Sequence, residues 1–363
     1  MTGTAPEVPR TRRLVSLDAL RGLDMLVIVG GGAVLRELAR TTEHPALQAI
    51  AHQLEHVEWH GFRFYDLVFP LFLFLSGATL PLTVERRVAA GASRILETRA
   101  ALRRGLVLVA LGAVYNGALR LDGEPVRVAS VLGRIGLGWT GAAFACIWLS
   151  LRGQVAVCLS VLLGYWALLA WVPVPGFGAG DLTPGHTLTD WFDREFLPGR
   201  LYKGDRDPEG LLGIIPSVGT ALMGAFAGRW LVHGPSCRGW RALGLVGAGA
   251  LALAVAGLWD RWLPLNKNLW TSSFAVHCAG WSALLLGVFH WACDGDDRPG
   301  LALPLVVVGT NPITIYLLRG FVDFPALSEV VLNPLRISPL AGALLLEWLL
   351  LYVLYRRRWF LRV

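Results

Sequence analysis

Apolar residues along this chain gather into long runs, separated by short arginine-rich stretches and by one long acidic stretch. A helix crossing lipid must satisfy its own backbone groups, because hydrocarbon offers no partners, and it needs about 20 mostly apolar residues to span. Runs of this kind fall at 17–38, 62–83, 101–119, 128–150, 154–172, 210–232, 242–259, 270–292, 301–318 and 338–355. They predict an all-α, polytopic membrane bundle of about ten transmembrane helices, with residues 1–363 forming a single transmembrane domain whose longest loop lies at about 173–209.

Composition agrees with that pattern. The chain is 54% hydrophobic and only 16% charged, too few charges to clothe a soluble surface. The net charge of +7 does not point to nucleic acid, since the arginines sit between apolar runs and read as topology signals. With both termini in the cytoplasm, Arg10, Arg12, Arg13, the cluster from Arg86 to Arg104, Arg152, Arg229, Arg238, Arg241, Arg298 and the group from Arg356 to Arg362 fall inside. Arg36, Arg40, Arg120 and Arg127 fall outside, together with the acidic residues of the long loop. The basic first 13 residues show no small-residue cleavage site and predict no cleaved signal peptide. Five cysteines without Cys-x-x-Cys spacing read as small core residues, not as zinc ligands or a disulfide framework.

Charges inside spans are costly unless paired or hydrated, so each marks a candidate site. In the first run, Asp18 and Arg21 share a helix face, as an ion pair or as a phosphate grip, while Gly30, Gly31 and Gly32 open room beside the backbone. The stretch HQLEHVEWHGFRFYDLVFP from His52 sets His52, His56 and His60 at four-residue steps, so a helical approach to the second span predicts one imidazole stripe. Without a His-Glu-x-x-His motif, metal is the lesser reading and a single catalytic histidine near the outer surface the preferred one. Asp66 then lies just inside the span, with Pro70 expected to kink the helix behind it. Arg134 needs a carboxylate or a phosphate, and Asp66 or Asp24 can supply the first. Asn266, Lys267, Asn268 and Trp270 open the eighth run, and Asn311-Pro312 interrupts the ninth. A secondary transporter is the alternative from another class, although the halves show no convincing repeat.

The motifs Ser16-Leu-Asp18-Ala-Leu-Arg21-Gly22, His56-Val-Glu-Trp59-His-Gly61, Asp66-Leu-Val-Phe-Pro70, Asp207-Pro-Glu-Gly210, Asn266-Lys-Asn268-Leu-Trp270 and the late Asn311 follow one another in the order that resembles the heparan-alpha-glucosaminide N-acetyltransferase family and its bacterial members. The resemblance implies a transmembrane acyltransferase domain that passes the acetyl group of cytoplasmic acetyl-CoA to a glucosamine-type amine on the periplasmic side of a bacterial inner membrane. It selects His56 as the essential histidine, with His60 second. On this reading His56 either deprotonates the amine for direct attack on the thioester, the slightly favoured route, or first accepts the acetyl group as an acyl-imidazole; Asp66 orients His56, Asn268 or Asn311 donates to the thioester oxyanion, and Trp59, His60 and Lys267 meet the acceptor. Arg21, Arg103, Arg104 and Arg134 are assigned to the anionic donor, whose thin pantetheine arm passes Gly31. The implied partners are the lipid bilayer, acetyl-CoA, an amino-sugar acceptor and a second copy in a homodimer, with no nucleic acid and no metal.

Overall fold

The structure is a computed structural model that describes residues 14–120, 123, 125–295, 300–332, 334 and 336–361. Arg10, Arg12, Arg13, Arg298 and Arg362, read above as topology signals, lie outside the described residues. The first run is helical in two halves, α1 (Val15–Leu26) and α2 (Gly32–Thr42), joined by a wide turn at Val27–Gly31 in which Gly30 takes φ 133°. After α3 (Pro45–Gln53) comes α4 (Phe64–Ala78), continued through an irregular turn at Pro81–Glu85 into α5 (Arg86–Ala89). Then follow α6 (Arg94–Tyr115), α7 (Val131–Trp148) and α8 (Leu151–Trp171). The long loop is ordered, with a two-stranded antiparallel ribbon, β1 (Pro173–Val174) and β2 (Gly178–Ala179), and a helix α9 (Leu188–Phe196). The chain ends with α10 (Ile214–His233), α11 (Arg238–Trp259), α12 (Ser272–Cys293), α13 (Leu303–Gly309), α14 (Pro312–Leu318), α15 (Phe324–Leu332) and α16 (Pro339–Arg357).

The protein is a multi-pass membrane bundle, but not all ten expected spans qualify. Among the described residues six helices are long and apolar enough to cross, and a seventh counts if α13 and α14, bent by 53° at their break, form one span. The shortfall has physical causes. The first run breaks at Gly30, and the first half of α6 carries Arg94, Glu97, Arg99, Arg103 and Arg104. In α10 the apolar content is diluted by glycine, serine, threonine and Arg229, because this helix packs against α4, α7, α8 and α12 and its surface meets protein on most sides. Gly224 and Gly77 make that packing close: a Cβ on Gly224 would stand 2.0 Å from the Phe74 carbonyl oxygen, and one on Gly77 the same distance from that of Ala221. The outer helices α8, α11 and α16 keep most of their apolar residues uncovered, as a lipid-facing ring does.

Two local expectations are corrected. Helix α4 runs unbroken through Pro70, and the irregular turn comes later, at Pro81–Glu85. The histidine stripe does not form, because α3 ends at Gln53 and only His52 is helical. Asp66 reaches back from the first turn of α4 and its Oδ2 accepts from the backbone N–H groups of Val57 and Arg63, both at 3.3 Å, a side-chain alternative to continuing a helix. Gly61, at φ 112°, then turns the chain so that its N–H donates to the Leu265 carbonyl.

Candidate functional site

The same Asp66 carboxylate holds His56. Its Oδ1 lies 2.8 Å from Nδ1 of His56, and the Lys267 ammonium sits 3.3 Å from that oxygen and 3.0 Å from the imidazole nitrogen. Asp66 is buried at the head of α4 while His56 is half open, so a fixed carboxylate orients an accessible ring. Tyr65 flanks the imidazole with ring centroids 4.6 Å apart. When Nδ1–H donates to Asp66, Nε2 carries a lone pair and can take a proton. Lys267 is positioned by the turn before α12, in which buried Asn266 accepts through Oδ1 from the Leu269 N–H and approaches His60 with its amide nitrogen. Burial holds the Lys267 ammonium below its ordinary value, against the pull of the Asp66 carboxylate.

His56 and Lys267 line a cavity of about 210 Å³ with Met25, Ile28, Tyr65, Phe72, Glu209 and Tyr316 among its walls. Phe72, Leu132, Ile135, Pro312 and Ile313 also line a second space of about 650 Å³ at the opposite end of the bundle, where Asp18, Arg21, Arg86 and Arg104 gather. The two spaces stand on either side of these shared walls, one an arginine-lined mouth and the other lined by His56, and both are walled mainly by apolar groups. At that mouth Arg21 stands 3.4 Å from Asp18, and the Arg104 guanidinium lies 4.0 Å over the Trp139 ring with a buried Nε that has no hydrogen-bond partner among the described residues. A cationic mouth with an unsatisfied donor fits the phosphates of a nucleotide-bearing thioester, and the apolar walls common to the two spaces fit its arm.

Other residues of the sequence reading fall elsewhere. Arg103 is exposed and outside the lining of both spaces. Arg134 is paired with neither Asp66 nor Asp24: its guanidinium donates to the Gly210 carbonyl at 3.0 Å and lies 5.2 Å over Trp270, bracing the long loop. Asn311 spends its amide on the tail, donating to the Trp359 carbonyl at 2.9 Å and accepting from Leu361 N–H at 3.1 Å. Gly31 borders neither space; a Cβ there would stand 2.7 Å from the Leu26 carbonyl of its own helix. Trp59 donates to the Leu182 carbonyl at 2.8 Å and so ties the His56 turn to the long loop. Asn268 is half-buried in the same turn as Lys267.

Sequence reasoning missed Glu209 and Tyr316 as walls of the cavity, and Arg127 behind them. Arg127 ion-pairs with Asp207, its Nε 2.7 Å from Oδ2, and with Glu209, and these carboxylates hold its guanidinium firmly charged. The acidic loop carried the signal in Asp207-Pro-Glu-Gly210, but an acidic run on its own reads as a solvated surface.

Residues 13–125 match a family described as a domain of unknown function, DUF5009. The chain is also 25% identical to the heparan-alpha-glucosaminide N-acetyltransferases of Homo sapiens and Mus musculus, over 97% and 99% of its own length. The relationship is distant but runs almost end to end. The chain spans 60% and 62% of those two proteins, under two thirds of either.

Proposed function

We propose that this chain is a transmembrane acetyltransferase, working as a single domain in a bacterial inner membrane, that carries the acetyl group of cytoplasmic acetyl-CoA to a glucosamine-type amine on the periplasmic side. The observation that carries the reading is the His56–Asp66 pair at a cavity that shares five of its walls with a second space lined by Arg21, Arg86 and Arg104. The distant likeness to N-acetyltransferases supports the reaction class. The arginine mouth faces the cytoplasm in this reading, where the donor is found, and the His56 end carries the acidic loop.

The residues divide the work. Arg21 and Arg104 hold the donor's phosphates, while Phe72, Leu132 and Ile135 exclude water from its arm. His56, oriented by Asp66, takes the proton that the acceptor amine loses as its nitrogen bonds to the thioester carbonyl, and returns it to the departing thiolate. The Lys267 ammonium, within 3.0 Å of the imidazole, stabilises the oxyanion in between. Direct transfer of this kind needs only one positioned base.

The test uses the purified full chain in lipid nanodiscs with acetyl-CoA and D-glucosamine. Formation of N-acetylglucosamine together with saturable CoA binding is the expected result. Folded protein that binds neither CoA nor acetyl-CoA would overturn the reading and move the chain to the solute-transporter class.

A further inference from the structure

The His56 cavity has a neighbour on its other side. Ile28 and Tyr316 line both it and a chamber of about 510 Å³ bounded also by Val29, Tyr115, Arg319 and Asp323. Two helical segments give the order of the three spaces. Along the first, Leu17 and Arg21 face the arginine mouth, Met25 and Ile28 the His56 cavity, and Ile28 and Val29 the chamber. Along α14 and its C-cap, Ile313 lines the mouth and the cavity, Tyr316 the cavity and the chamber, and Arg319 the chamber. The chamber therefore lies beyond His56 as seen from the arginine mouth. It sits at the end of the long loop, since Asn116, next to Tyr115, donates to the carbonyls of Arg127 and Ala129, and Arg127 pairs with Asp207 and Glu209.

The chamber's chemistry differs from that of the arginine-lined space. Arg319 is fixed on two sides, its Nε 2.9 Å from the buried Glu347 carboxylate and its NH1 donating to the Ile28 carbonyl at 3.0 Å, while its NH2 has no hydrogen-bond partner among the described residues. Asp323 accepts from the Ala326 N–H through Oδ1 at 3.0 Å, and its Oδ2 has no such partner among the described residues. Tyr115 and Tyr316 stack with centroids 4.6 Å apart and form an aromatic wall, of which Tyr316 also lines the His56 cavity. A preset donor, a preset acceptor and an aromatic wall are what a hydroxylated ring needs: its hydroxyls take the polar groups and its carbon face takes the ring.

We infer that this chamber is the acceptor subsite of the transfer proposed above, on which the inference rests. It binds a hydroxylated amine of the sugar type through Arg319 and Asp323 and passes the amino group between Ile28 and Tyr316 to His56. The donor and the acceptor then reach the imidazole from opposite sides, and neither has to leave before the other arrives.

The experiment measures equilibrium binding of D-glucosamine and, separately, of CoA to the full chain in nanodiscs, in wild type and in two variants chosen to fold. Asp323→Asn keeps an oxygen for the Ala326 N–H, and Arg319→Lys keeps a cation for Glu347. The expected result is a tenfold or greater loss of D-glucosamine affinity in both variants, a matching rise in its KM, and an unchanged CoA affinity. D-glucosamine bound equally by wild type and both variants, or not bound at all by protein that binds CoA, would overturn the subsite and leave the transferase reading standing. Absence of CoA binding would remove both.

Discussion

Asp66→Asn is the sharpest perturbation of the proposed site, because it alters one atom of a side chain that is almost fully buried. The carboxylate accepts from His56 through Oδ1 at 2.8 Å and from the Val57 and Arg63 N–H groups through Oδ2, both at 3.3 Å. An amide in its place keeps one oxygen, which the two backbone N–H groups retain, and turns its NH₂ towards His56 and Lys267. The imidazole must then accept at Nδ1, so its hydrogen moves to Nε2, the atom that should take the acceptor's proton. The Lys267 ammonium, 3.3 Å from Oδ1, also loses its counter-ion. Loss of a positioned base lowers kcat by about 100-fold to 10,000-fold. The exchanged hydrogen bonds should cost about 1–3 kcal/mol of stability, which leaves the bundle folded. Single-turnover acetyl transfer to D-glucosamine, with CoA affinity as the control for folding, reads the effect, and His56→Ala should reproduce it where His60→Ala does not. A kcat within threefold of wild type and an unaltered pH profile would refute the dyad.

Three further outcomes are expected. Arg104→Ala should weaken CoA binding by about tenfold or more while Arg103→Ala leaves it unchanged, since only Arg104 reaches the mouth; equal effects in an equilibrium titration would undo the assignment. Native Cys237, exposed between α10 and α11 at the arginine end, should react with a membrane-impermeant maleimide only after inner-membrane vesicles are inverted, and labelling in intact spheroplasts would reverse the proposed direction of transfer. Asp193 in the long loop, its pKa raised by burial to about 7, stays protonated in the fold over a range where the unfolded chain has lost the proton. The folded state therefore binds more protons between about pH 4 and 7, and stability falls as pH rises through that window. Asp193→Asn should raise Tm at pH 8 and change it little at pH 4; the opposite order in a melting series would show that the carboxylate is held ionised.

The helical runs were legible because lipid imposes a length and a composition on each crossing, as in α8, α11 and α16. The same signal misled where a helix is surrounded by protein, as α10 is, since a protein-facing surface has no need of uniform hydrophobicity. His56 and Asp66 were both legible as candidates, but their partnership was not: it depends on α3 stopping at Gln53, and a four-residue spacing cannot reveal where a helix ends. Lys267 and Glu209 reach the imidazole's cavity only through tertiary folding, from positions more than a hundred residues further along the chain. Arg134 shows the converse, a charge conspicuous in the sequence whose partner is a backbone carbonyl that no pattern of charges marks.

The glycine triplet Gly30–Gly32 connects these levels. Read from sequence, it removes bulk so that another helix or a ligand can come close. In the fold the decisive property is conformational: Gly30 at φ 133° permits the wide turn at Val27–Gly31 that separates α1 from α2. That turn lies between the His56 cavity and the chamber, and it presents the Ile28 carbonyl to Arg319 while Ile28 lines both spaces. A regular helix would carry the chain past this point without the irregular turn that aims the carbonyl. The break that keeps the first run from qualifying as a transmembrane span is thus the feature that holds the chamber's guanidinium in place, and a chain selected only to cross lipid would have no reason to keep it.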